Sequence, residues 1–109
     1  MAPTGFIVIL STCGSKTEAE TIASRLVSDS AAACVNIIEN ITSVYQWQGK
    51  IETGTECLMV IKTREALAKQ VEAIIQELSS YDCPEVVALP IERGSEDYLN
   101  WIADVTKKK

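Results

Sequence analysis

The stretch Cys34-Val-Asn-Ile-Ile-Glu-Asn-Ile-Thr-Ser-Val-Tyr-Gln-Trp47, followed by Gln48-Gly49 and then Lys50-Ile51 to Lys62-Thr63, decides the fold. Val35, Ile37, Ile41, Tyr45 and Trp47 share one parity, interrupted by Glu39 and Ser43, so the segment reads as a long strand. Gln48-Gly49 reads as a two-residue turn. Cys57, Met59 and Ile61 share a face of the returning strand, with Leu58 and Val60 on the other. Fully extended, the first arm would span roughly 45 Å at ~3.3 Å per residue. A domain of this size is only roughly 35 Å across. The hairpin is therefore expected to overhang its own domain or to bend sharply. An overhang carrying Tyr45, Trp47 and Ile51 would present edges and rings suited to another chain.

Working outward, Phe6 to Leu10 is an unbroken apolar run, predicted to be a central strand buried on both faces and ended by Gly14-Ser15. Ser15 or Thr17 caps a helix that places Ala19, Ile22, Ala23, Leu26 and Val27 on one stripe, with Asp29-Ser30 as its exit. Beyond the hairpin, Arg64 to Leu78 is predicted to be a second helix, with Leu67, Val71, Ile74, Ile75 and Leu78 inward. Glu85 to Leu89 is predicted to be a short strand closed by Pro90. After Gly94-Ser95, a last helix carries Tyr98, Trp101, Ile102 and Val105 on one side. The order β-α-β-β-α-β plus a C-terminal helix is the split βαβ, ferredoxin-like pattern. It is an α+β fold with one antiparallel sheet and helices on one face. Residues 1-109 are expected to form a single domain.

With 109 residues and a net charge of -5, the chain offers no basic stripe, and nucleic acid is not an expected partner. Its one cationic run, Lys107-Lys108-Lys109, suits the C-terminal end of the last helix. Phe6-Leu10 is too short for a signal peptide or a membrane span, so neither secretion nor a membrane partner is expected. Four unevenly spaced cysteines, Cys13, Cys34, Cys57 and Cys83, then read as free thiols in a reducing cytoplasmic setting. Gly14-Ser15-Lys16-Thr17 lies where a phosphate loop would, but the lysine is displaced and Ile9 stands where the first glycine belongs.

Histidine is absent, which removes the commonest general base and metal ligand. Glu52, Glu56 and Glu85 could pair as acid and base, yet no catalytic constellation surrounds them, so no catalytic residue is assigned and an enzyme is not expected. The aromatic residues after the first helix serve core and interface packing. Alternatively, Tyr45, Trp47 and Tyr81 line a ligand cleft, with Glu56, Lys62 and Glu85 as its polar groups. Cys13 ends the first strand and Cys83 precedes the last, so these two are the candidate metal ligands, suited to soft ions.

Several segments together resemble the CutA family of divalent-cation-tolerance proteins. They are Ala32-Ala33-Cys34-Val35-Asn36-Ile37, Ile41 to Ile51, Glu56, Ile61-Lys62-Thr63, Tyr81, Pro84 to Ile91 and Asp97 to Trp101. The resemblance covers roughly residues 5 to 104. It implies a ferredoxin-like homotrimer, similar in architecture to PII-type signalling proteins, tied to tolerance of divalent cations and of copper especially. It implies no defined catalytic activity. Copper-binding members carry a cysteine where this chain has Ser11. They also carry a histidine just before the tyrosine, where this chain has Leu78, Ser79 and Ser80. The resemblance fixes no cofactor; a divalent or soft metal ion such as copper is the candidate. The expected function is a metal-responsive or small-ligand signalling module; alternatively, the trimer is a structural scaffold that anchors another protein.

Overall fold

A computed structural model describes residues 3–107. The elements run β1 (Phe6–Cys13), α1 (Lys16–Ser28), β2 (Cys34–Trp47), β3 (Lys50–Arg64), a 3-10 turn (Glu65–Leu67), α2 (Ala68–Leu78), β4 (Val87–Pro90) and α3 (Glu96–Val105). The strands form one antiparallel sheet in the order β2-β3-β1-β4. This is the ferredoxin-like arrangement expected from the sequence, with one extra helix.

Alternation builds the core. Ile7, Ile9, Ser11 and Cys13 of β1 stand opposite Thr63, Ile61, Met59 and Cys57 of β3 and are all buried. They pack against Ala19, Ile22 and Leu26 of α1 and Val71, Ile74 and Ile75 of α2. The Ser15 hydroxyl caps α1 by accepting from the Glu18 amide at 3.1 Å. Two polar side chains enter this layer. Thr63 Oγ1 donates to Ala31 O at 2.6 Å, whereas Ser11 Oγ is sealed without a partner.

The opposite face is not sealed. Val8, Leu10, Leu58 and Val60 are half-buried there, while Ile38, Val87 and Leu89 are exposed. The expectation that β1 would be buried on both faces is thus corrected: α1 and α2 cover one face only. Arg64, pointing away from buried Thr63, donates to Thr106 Oγ1 and Thr106 O at 2.9 Å each. That ties α3 to the far end of the open face. Ile102 is buried there, while Tyr98, Trp101 and Val105 stay exposed.

Three boundaries differ from the sequence expectation. Arg64 ends β3 instead of opening a helix, because Phe6 continues the ladder opposite it. β4 starts at Val87 and includes Pro90, which faces Ile7. On this edge strand Ile91 N donates to Phe6 O, so residues 87, 89 and 91 turn their amides inward. The missing N–H of Pro90 falls on the outer side, where it costs no ladder bond. The single parity proposed for β2 is broken by a bulge between Ile38 and Ile41, with Asn40 at φ 59. Val35 and Ile37 face the helices opposite Ile61 and Met59. Past the bulge, Ile41, Ser43, Tyr45 and Trp47 lie on the other face opposite Glu56, Gly54, Glu52 and Lys50.

The hairpin overhangs the sheet body. β1 stops at the Cys13–Cys57 pair, but β2 and β3 stay paired out to Trp47 and Lys50. The molecule is accordingly 44 × 26 × 22 Å. Gln48 and Gly49, at φ 50 and φ 79, form the tip turn, the double positive φ of a type I′ hairpin. Of the terminal lysine run, Lys107 pairs with Asp104 at 3.4 Å; Lys108 and Lys109 lie outside the described residues.

Candidate functional site

Where the hairpin leaves the sheet body it opens a cleft of about 780 Å³ against the segment 80–85. Its lining includes Thr12 from the end of β1, Ser43, Tyr45 and Trp47 from β2, Glu56 from β3, and Tyr81, Asp82, Cys83 and Glu85 from the loop after α2. β1 is the shortest of the three long strands, so Tyr81 reaches past its end to the overhanging part of β3. There the phenol donates to Glu56 Oε2 at 2.8 Å. Ser79 Oγ accepts from the Tyr81 amide at 3.1 Å and Glu18 Oε1 accepts from the Ser80 amide at 3.3 Å, fixing the start of this loop.

Glu56 is the polar centre. Burial by itself would raise its pKa. Hydrogen bonds from Ser43, Tyr81 and Thr12 outweigh that and hold its carboxyl below the usual range. Burial first, and then the adjacent Glu56 carboxylate, push the Tyr81 phenol well above its usual range. The pair is therefore a neutral phenol donating to a carboxylate across neutral pH. Three carboxylates (Glu56, Asp82, Glu85) and three rings (Tyr45, Trp47, Tyr81) line one concavity.

Of the six side chains expected at a ligand cleft, five line it: Tyr45, Trp47, Glu56, Tyr81 and Glu85. Lys62 does not. It lies in the body of β3 opposite Cys34 and donates to Asn36 Oδ1. Six residues along a strand separate it from Glu56, roughly 20 Å. Thr12 and Ser43 were missed, since an isolated hydroxyl carries no sequence signal until the register places it beside a carboxylate.

The two proposed metal ligands have unlike surroundings. Cys13 is fully buried and its thiol contacts Ser15 O at 3.4 Å. Burial pushes it up to about 11. Cys83 is exposed on the cleft lip. The register partner of Cys13 is Cys57. Among the described residues no three Cys, Asp or Glu side chains converge as a metal cage. None of their helices is long and apolar enough to cross a membrane.

Comparison with known proteins agrees with the architecture. The solved periplasmic divalent cation tolerance protein CutA of Archaeoglobus fulgidus superposes with a TM-score of 0.92 at 41% identity, covering 94% of this chain and 99% of that one. The divalent-cation tolerance protein CutA of Thermus thermophilus is 40% identical over 99 residues, 91% of this chain and 96% of its own. The CutA homolog of Xenopus laevis is 44% identical over 94 residues, but these are 86% of this chain and 62% of that protein. The chain thus spans less than two thirds of the length of this vertebrate relative. Residues 7–105 match the model of the CutA1 divalent ion tolerance proteins, and with that match and these relatives the chain belongs to the CutA1 family.

Proposed function

We propose that this protein is a homotrimeric, non-enzymatic binding module that takes part in divalent-cation tolerance in the cytoplasm, with its ligand seated in the cleft beneath the overhanging hairpin. The observation that carries this reading is the cleft itself. A carboxylate held by three hydroxyl donors sits among aromatic walls at the root of an arm whose apolar side chains have no cover within the chain. Val44, Tyr45, Trp47 and Ile51 are 48–79% exposed, and such a surface suits burial against further copies.

The residues present do not fit an imidazole-based copper(II) site. There is no histidine in the chain, Ser11 is locked in the core, and copper(II) favours nitrogen and oxygen donors in tetragonal geometry. The cation response is accordingly assigned to the assembled cleft and not to a preformed copper cage. The second reading, a trimeric scaffold for another protein, is favoured by one feature: Tyr98 and Trp101 form an exposed ring pair on α3 with centroids 5.6 Å apart.

A thermal-shift screen of the wild type and of Glu56→Gln against divalent metals, nucleotides and small organic acids tests the binding reading. A ligand that stabilises the wild type and loses its effect in the variant is expected. Full stabilisation of Glu56→Gln, or no stabilisation by any compound alongside one dominant protein partner, would favour the scaffold. Sedimentation equilibrium should give three times the 11.9 kDa chain mass.

A further inference from the structure

Cys13 and Cys57 stand directly opposite each other at the last rung of the β1–β3 ladder. Glu65 N donates to Gly5 O at 2.9 Å in the same register. Hydrogen-bonded and non-hydrogen-bonded pairs alternate along an antiparallel ladder, so the Cys13–Cys57 rung is a hydrogen-bonded one, with Cα atoms separated by about 5.5 Å. The Cα separation falls inside the span a disulfide bridges, roughly 4.4–6.8 Å. The Cβ atoms of such a rung start about 5.5 Å apart and must close to about 4.5 Å, so the bond draws the two strands together at this point. Both side chains project to the same, helix-covered face, and both are buried, at 0% and 6% exposure.

We propose that Cys13 and Cys57 form a redox-active dithiol that a peroxide converts to a cross-strand disulfide, stapling the root of the overhanging hairpin to the sheet body. Cys57, the less enclosed of the two, is the sulfur that meets the oxidant. The Cys57 sulfur, giving up its proton, attacks one peroxide oxygen and the O–O bond breaks. The other oxygen leaves as hydroxide and takes up that proton to form water, and Cys57 becomes a sulfenic acid. The Cys13 sulfur then displaces the sulfenic hydroxyl, which takes up the thiol proton and leaves as water. Two thiols and one hydrogen peroxide thus give one disulfide and two waters. Cys13 gives up only its 3.4 Å contact with Ser15 O. The rung also adjoins the cleft: Thr12 and Glu56, its chain neighbours, both line it.

The test uses the Cys34→Ser/Cys83→Ser chain, which retains only the proposed pair, treated with stoichiometric hydrogen peroxide, then unfolded in an alkylating agent. The expected product is a chain that has lost two hydrogens, takes up no alkylating group, runs as a single chain without reductant, and regains both thiols with dithiothreitol. Two alkylated cysteines, or a bond between chains, would overturn the proposal. Should that variant fail to fold, the wild type gives the same answer after trypsin, because each cysteine lies in its own tryptic peptide. Peptide 1–16 joined to peptide 51–62 supports the pair; joining only through Cys34 or Cys83 refutes it.

Discussion

The body of the sheet and its overhanging arm are cut from the same two strands, yet they obey different rules. In the body, β3 alternates strictly between buried and half-buried from Cys57 to Arg64, because β1 lies beside it and two helices lie above. From Lys50 to Glu56 the same strand has β2 as its only strand neighbour, and no residue is buried. The body thus holds its shape by packing, while the arm relies on ladder bonds, a two-residue turn and, at its root, the Tyr81–Glu56 hydrogen bond. An arm so built is stable on its own only marginally, and that marginality is what a partner chain would relieve.

Mutations can break this contrast. The largest loss is expected in the body: Met59→Ala leaves a cavity in a fully buried site and should cost about 2–5 kcal/mol in denaturant unfolding. Trp47→Ala, in the arm, should cost about 2 kcal/mol or more in association of the proposed trimer, read by sedimentation equilibrium. The stability of the isolated chain should meanwhile stay within about 0.5 kcal/mol of wild type. An equal loss in both measurements would mean that the arm packs within its own chain. Ser15→Ala removes the α1 cap and should lower global stability by about 1 kcal/mol.

The smallest effect belongs at the root. Tyr81→Phe should cost no more than about 1 kcal/mol, since both partners of the bond are partly solvated. Its pH signature is distinctive. The Glu56 pKa is depressed in the fold, so its contribution is present above the ordinary glutamate pKa and fades as the pH falls through the lowered value. The Tyr81 pKa is raised, so its contribution is present below the ordinary tyrosine pKa and fades as the pH climbs toward the elevated one. The difference in stability between wild type and Tyr81→Phe should therefore be widest between about pH 5 and pH 9. A difference that keeps growing toward either extreme would exclude the hydrogen bond as its source.

Much of this contrast was legible in the sequence. The length from Cys34 to Trp47 set against the size of the chain implies the overhang, and Gln48-Gly49 marks its tip. The helical stripes follow from periodicity, and the strand order from the β-α-β-β-α-β succession read with the right-handed crossover rule. What parity could not reveal is the bulge at Asn40, since a left-handed residue in a polar stretch looks like an ordinary surface position. Once that residue is inserted, Tyr45 and Trp47 change faces and become neighbours of Tyr81. Lys62 is a different case: its six-residue separation from Glu56 along one strand was readable, and only the placement of the cleft at the Glu56 end, beside the loop after α2, needed the structure. The Cys13–Cys57 pairing likewise needed the register, which runs between segments far apart in the chain.

The bulge also gives this protein a kind of modularity. On the body side of Asn40, Val35 and Ile37 answer to the helices, and residues beyond it answer to whatever the arm meets. The extra residue absorbs the mismatch between the two patterns, so either half can change composition without forcing the other to follow. Lengthening the arm by matched pairs, one set before Gln48 and one after Gly49, would extend its reach while leaving every rung below the bulge in place. A single unmatched insertion on the body side would instead turn the helix-facing side chains of β2 outward. Tolerance to insertion should therefore differ sharply across one residue, and reach and core can vary independently.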